Sequence, residues 1–259
     1  MSTTIQSNLE NGILRLTLHR PKSYNSFNRE MALALIEALE QAGQTEAVRV
    51  VVLTGEGKAF CAGQDLKEVT EDNGIGFEQI LKEHYNPIVK AIRNLSKPVV
   101  AAVNGVAAGA GANIAFSCDL TIAKASASFT QAFSKIGLVP DSGGSFFLPR
   151  LVGMQRATAL TFLSDKVTAQ DAADMGLIYQ CVADEVYEEA VQKLAGRLAK
   201  MPTLALGMTK ELLNKSATNS LDEQLALEGK MQLDASSRYD YEEGVNAFLE
   251  KRRPEFKGK

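Results

Sequence analysis

The feature that most constrains the fold is a recurring one: short apolar runs rich in β-branched residues, with stretches of helical spacing between them. Val48 to Leu53 is such a run and stops at Thr54-Gly55, Pro98-Val-Val-Ala-Ala-Val103 stops at Asn104-Gly105, and Leu120 to Ala123 is a third. Runs this short read as strands, and runs apolar at every position read as strands buried on both faces. Gly12 to Leu18 is different, with Ile13, Leu14, Leu16 and Leu18 set against Arg15 and Thr17 up to Arg20-Pro21, the pattern of a strand closed by a proline turn. Between the strands, Met31, Leu33, Leu35, Ile36 and Leu39 recur at helical spacing behind a capping Asn28, and helical periodicity returns over 76 to 95 and up to Leu163. Ala169 to Gly176 predicts a short helix with a glycine stop, followed by a strand over Leu177 to Val182. Beyond Glu185 the pattern is helical to the end, broken at Met201-Pro202. The result is an α/β chain of short βα units whose strand order these periodicities leave open.

Composition narrows the partners. A chain of 259 residues, 45% hydrophobic, can bury about 70% of its unfolded surface without a disulfide or metal staple. Its 28 basic and 31 acidic residues leave a net charge of −3, too weak a field for a nucleic-acid partner, so any anionic ligand must be held locally. No run of roughly 18 apolar residues and no basic, apolar leader occurs, which excludes a membrane partner and gives a cytoplasmic protein as the expectation. Cys61, Cys118 and Cys181 are odd in number and far apart, suiting a reducing compartment and no metal site.

Three glycine-bearing segments follow strands: Cys61-Ala-Gly-Gln-Asp65, the small-residue stretch around Gly109-Ala-Gly-Ala112, and Pro140-Asp-Ser-Gly-Gly144. Each can be a close-packed turn, and each can equally expose backbone N–H groups that stabilise negative charge. The second is no dinucleotide fingerprint, because Asn113 stands where a third small residue belongs. Ser142 has only His19 and His84 to serve as a base, one beside Arg20-Pro21 and one in a charged helix, so a serine nucleophile is a poor fit.

Four blocks carry a resemblance. His19-Arg-Pro-Lys-Ser-Tyr-Asn25, Lys58-Ala-Phe-Cys-Ala-Gly-Gln-Asp-Leu66, Lys97-Pro-Val-Val-Ala-Ala-Val-Asn-Gly105 and Gly137-Leu-Val-Pro-Asp-Ser-Gly-Gly144 resemble, in order and spacing, those of the crotonase (enoyl-CoA hydratase/isomerase) superfamily. The resemblance implies a crotonase-like spiral of ββα units over 1–195 and a C-terminal helical region over 196–259 that builds a homo-oligomer, a trimer or a dimer of trimers. It implies a CoA-thioester substrate whose carbonyl oxygen sits between the backbone N–H groups of Gln64 and Ala110. Ala62, Asp65 and Leu66 would hold the adenine and Lys22 and Lys67 would meet CoA phosphates. No metal or redox cofactor is required, and coenzyme A enters only as part of the substrate.

The departures from the family pattern set the expected reaction. Where family hydratases carry two glutamates, the sequence has Asn113 and Phe133, neither of which can shuttle a proton. Asp141 stands where family isomerases place a carboxylate, and one carboxylate suffices to take a proton from one carbon and return it to another. An acyl-CoA isomerase with Asp141 as acid/base is therefore expected, with the pKa of Asp141 raised by an apolar pocket. Phe133 reads either as core or as an aromatic wall suited to a ring, while Phe146 and Phe147 read as core. A hydratase, a Δ3,Δ2-enoyl-CoA isomerase and a CoA-thioester binding protein without chemistry remain as alternatives. Glutamates placed at both 113 and 133 are expected to raise hydration, provided the pocket geometry is kept.

Overall fold

A computed structural model describes residues 3–70 and 76–259. Ten strands fall into two sheets. In chain order they are β1 Ile5–Glu10, β2 Ile13–Leu18, β3 Val50–Gly55, β4 Ala59–Cys61, β5 Val99–Val103, β6 Val106–Ala108, β7 Leu120–Lys124, β8 Ser128–Thr130, β9 Val167–Thr168 and β10 Gln180–Val182. The larger sheet runs β1-β2-β3-β5-β7-β10 and the smaller β4-β6-β8-β9. The three apolar runs are its centre, all parallel, with Val51 opposite Val99 and Val100 opposite Leu120. Each run is followed at once by a three-residue strand in the other sheet, so the chain winds as a spiral of ββα turns.

Three of these strands, β4, β6 and β8, are too short to show a period of two, and β9 is shorter still. The sequence pattern also passed over β1, an edge strand whose residues are exposed or half-buried and which pairs antiparallel with β2.

The parity of the central strands divides the core. Val51, Leu53, Val99, Ala101, Val103 and Ala123 face the main core with helices α1 (Arg29–Gln44), α4 (Asn86–Asn94) and α5 (Ala110–Ser117). Val50, Val52, Val100, Ala102 and Ile122 face the opposite side, covered by Tyr187, Val191, Ala195 and Ala199 of α8 (Tyr187–Ala199). Asn28 caps α1 by accepting the Met31 N–H at 3.0 Å.

Two short helices, α2 (Leu66–Thr70) and α3 (Phe77–Ile80), precede α4, and a π-helical turn over Leu81–Tyr85 joins α3 to α4. Helix α6 (Gly144–Leu163) is interrupted at Gly153, whose φ of 76° is not helical, and α7 (Ala169–Asp174) is capped by Thr168. Residue 195 lies inside α8, so the helices that stand away from the sheet are α9 (Thr203–Lys215), α10 (Leu221–Ser236) and α11 (Tyr239–Leu249). The tail is tied back to the sheet by Arg49, which donates to the carbonyls of Met201 and Phe256 and to the Thr203 hydroxyl. Asp240 accepts the N–H groups of Lys257 and Gly258. Among the described residues no helix is long and apolar enough to cross a membrane.

Candidate active site

The segment after β4 is held from below by the Arg20 turn. Asn25 accepts the Arg20 N–H and donates to the carbonyls of Glu56 and Ala59, while Arg20 bonds Ser26 O and pairs with Asp65 at 2.8 Å. Phe27 donates to Gly63 O and accepts from the Asp65 N–H. In a parallel bridge of this kind the intervening Gln64 turns its N–H to the opposite side. Gly63 lets this segment approach the next one: its φ is +96°, and a Cβ there would stand 3.1 Å from Ala108 O and 3.7 Å from Ala110 N. Ala110 is the first residue of α5, so its N–H has no partner within the helix. Gln64 and Ala110 thus border one space.

That space is a cavity of about 240 Å³. Ala62, Gln64, Leu66, Ala110, Phe133 and Asp141 all line it. Phe133 is nearly fully buried there, beside Gly109. Phe146 and Phe147 lie elsewhere, paired edge to face, with Arg150 over the first ring and Arg93 over the second.

Asp141 follows Pro140 and precedes a turn in which Ser142 and Gly143 are both left-handed, with φ of 49° and 77°. The Ser142 hydroxyl donates to Asp141 Oδ1 at 2.8 Å. Burial pushes the Asp141 carboxyl up to about 6, and the Ser142 bond offsets only part of that shift. Asp141 is the sole carboxyl lining the cavity among the described residues. A group that titrates near neutrality can both accept and return a proton.

Lys22, Asp65 and Lys67 do not line the cavity. Lys22 sits exposed on the Pro21–Ser23 turn and Lys67 exposed on α2. The Asp65 carboxylate, expected at the adenine, is committed instead to Arg20 and to the Lys67 N–H at the start of α2. His84 is fully buried with neither ring nitrogen partnered, and burial lowers its pKa, so it is a neutral core residue outside the cavity. No cluster of three or more metal-binding side chains occurs among the described residues.

Sequence reasoning missed Phe77, Ile80, Tyr85, Lys135, Ile136 and Leu138, which also line the cavity. The Tyr85 hydroxyl donates to Gln64 Oε1 at 2.7 Å, and Gln64 Nε2 donates to Glu68 at 2.9 Å, so the side chain of Gln64 is fixed at both ends of its amide. Burial raises the Tyr85 pKa well above its ordinary value and keeps the phenol protonated.

Residues 8–259 match the family model described as enoyl-CoA hydratase/isomerase. The chain is 46% identical over 266 residues to the 1,2-epoxyphenylacetyl-CoA isomerase of Escherichia coli K12, covering all of both chains. It is 44% identical to a probable enoyl-CoA hydratase of Rhodobacter capsulatus, covering 99% of this chain and 98% of that one. Among solved structures, a putative enoyl-CoA hydratase from Streptomyces coelicolor superposes with a TM-score of 0.93 at 34% identity, covering 100% of this chain and 96% of the other. With the spiral of ββα turns and a match along almost its whole length, the chain belongs to the enoyl-CoA hydratase/isomerase, or crotonase, family.

Proposed function

We propose that the protein is an acyl-CoA isomerase acting on 2-(1,2-epoxy-1,2-dihydrophenyl)acetyl-CoA, converting the ring epoxide to the oxepin in phenylacetate degradation. The observation that carries this reading is a single carboxyl, Asp141, in a largely apolar cavity that Gln64 and Ala110 also line. The name of the Escherichia coli relative supports the choice of acyl group. The N–H groups of Gln64 and Ala110 hold the thioester oxygen as it becomes an enolate, the C–C bond shared by the epoxide and the six-membered ring opens to give the seven-membered ring, and Asp141 takes a proton from the carbon beside the thioester carbonyl and returns it to a ring carbon. Donors preorganised in this way each contribute about 10²–10³ in rate. Phe133, Tyr85, Ile80 and Leu138 surround the ring. Ala62 and Leu66 border the path toward the adenine, and Lys22 and Lys67 reach the phosphates from outside.

The test is to give purified protein the ring-epoxide thioester and, separately, a 3-enoyl-CoA. A product of unchanged mass and altered absorbance is expected from the first. Δ3,Δ2 isomerisation is a side reaction open to the same carboxylate. No conversion of the ring epoxide would refute the acyl group, and no isomer from either compound would refute the reaction class.

The pH profile follows from Asp141. Only its ionised form can accept the first proton, so kcat/KM is expected to be half-maximal near pH 6 and to fall about tenfold per unit below it. A profile flat from pH 5 to 8 would contradict the assignment.

The same reading includes a trimer or a dimer of trimers. Helix α10 buries no residue, and Leu221, Leu225, Leu233, Phe248 and Leu249 are all more than half exposed in the single chain, which is a large apolar surface for a monomer. Light scattering is expected to give at least three times the 28.0 kDa of one chain. A particle of one chain's mass at micromolar concentration would remove this part of the proposal.

A further inference from the structure

Resting on that reading of Asp141, we infer that Asn113 is its positioning residue: a carboxamide that holds the peptide carrying the acid/base carboxylate and is itself aimed by Gln131. Asn113 is fully buried on α5. Its Nδ2 donates to the Asp141 carbonyl at 2.9 Å, and its Oδ1 accepts from Gln131 Nε2 at 2.7 Å. The order of these bonds is fixed from the Asp141 end. A backbone carbonyl can only accept, so the NH₂ of Asn113 must face it, its oxygen must face Gln131, and Gln131 must turn its own NH₂ inward. The cost of that order is visible in Gln131, whose buried Oε1 is left with no partner.

Asp141 needs such a hold because of the turn that follows it. Ser142 is left-handed with a Cβ, and such a conformation persists only where its surroundings over-determine it. The Asp141 carbonyl accepts two bonds, from the Gly144 N–H at 2.8 Å and from Asn113, and the second is the one that ties the turn to α5. Gly144 itself presses on the amide: a Cβ there would lie 2.3 Å from Asn113 Nδ2. Position 113 therefore has little room to move, and both its amide oxygen and its NH₂ are already bonded to the protein. Within this fold, a carboxamide here supports single-carboxylate chemistry and a carboxylate here would oppose it, because an ionised oxygen would face the Asp141 carbonyl.

Two nearly isosteric replacements test this, assayed with the ring-epoxide thioester. Asn113→Leu, which can neither donate nor accept, is expected to lower kcat about 10- to 100-fold, the effect of a misplacement on the order of 1 Å, with KM within threefold. Asn113→Asp is expected to show a pH dependence that neither the wild type nor the leucine variant has. Its buried carboxyl, protonated at the acid end, can donate to the Asp141 carbonyl. As it ionises the bond becomes a repulsion, adding a descending alkaline limb. Should the leucine variant fail to fold, Gln131→Met, which removes only the aiming bond, is expected to lower kcat in the same direction. Retention of kcat within twofold by the leucine and aspartate variants, or identical pH profiles for the two, would overturn the inference while leaving Asp141 as acid/base. A wild type that forms no isomer would instead refute the reading on which it rests.

Discussion

Crotonyl-CoA is expected to be hydrated at least ~10³-fold more slowly than the acyl isomer is formed, about 4 kcal/mol of transition-state stabilisation that this cavity lacks. Adding water across a double bond needs one group to orient the water and another to deliver a proton to the α-carbon. Asn113 cannot deliver a proton, and its amide is anchored at one end by Gln131 and at the other by the Asp141 carbonyl. Phe133 puts a buried ring where a second carboxylate would stand. Tyr85 stays protonated and gives its hydroxyl proton to Gln64. A glutamate at 133 has a cavity to enter, while one at 113 would have to replace the amide that now bonds the Asp141 carbonyl and Gln131. Loss of the enoyl-thioester absorbance at a rate rivalling isomerisation would overturn the reaction type.

Asp141→Asn is expected to lower isomerisation by about 10²-fold or more, the contribution of general acid/base catalysis, with CoA-thioester binding within about tenfold of wild type. Stability should move the other way. The Asp141 carboxyl titrates near 6 in the folded chain, against an ordinary value of 3.8, so the folded state holds the proton more tightly than the unfolded one. The stability linked to that proton is fully present below about pH 4 and is lost as the pH rises through 6. An asparagine has no proton to lose, so at pH 8 the variant should melt no lower than wild type. Comparable turnover in the variant would remove Asp141 from the reaction, and a collapse of Tm at pH 8 would show that the lost rate reports unfolding.

The apolar runs at Val48 to Leu53, Pro98 to Val103 and Leu120 to Ala123 were legible as buried strands because burial on both faces leaves them almost wholly apolar, with Arg49 and Thr121 the exceptions. Their partners in the second sheet were not, since three residues carry no period. The candidate site divides in the same way. Gln64 and Asp141 lie on blocks with a recognisable order and Ala110 on the glycine-bearing segment after β6, and the fold brings them to one cavity with Phe133. Tyr85 carried no such signal. An α-helical repeat of 3.6 sets residues five apart on different faces, and only the π-helical turn over Leu81–Tyr85, whose bonds span five residues, stacks Ile80 and Tyr85 on the same wall. The ion pair of Asp65 was not legible either, because Arg20 lies 2.8 Å away across a contact between segments that spacing along the chain cannot reveal.

The alternation of strands between two sheets bears on how the chain reaches this state. The β1–β2 hairpin is the one pairing in the larger sheet made by close neighbours in sequence; Val51 must wait for Val99, and Ile122 for Gln180. The smaller sheet therefore cannot be finished before Thr168 nor the larger before Val182, and a chain shorter than that carries the open edges of both. Loop closure must be met before these distant pairings reward it, which makes folding slow and leaves the apolar strands open to association with other chains until the last turn is laid down.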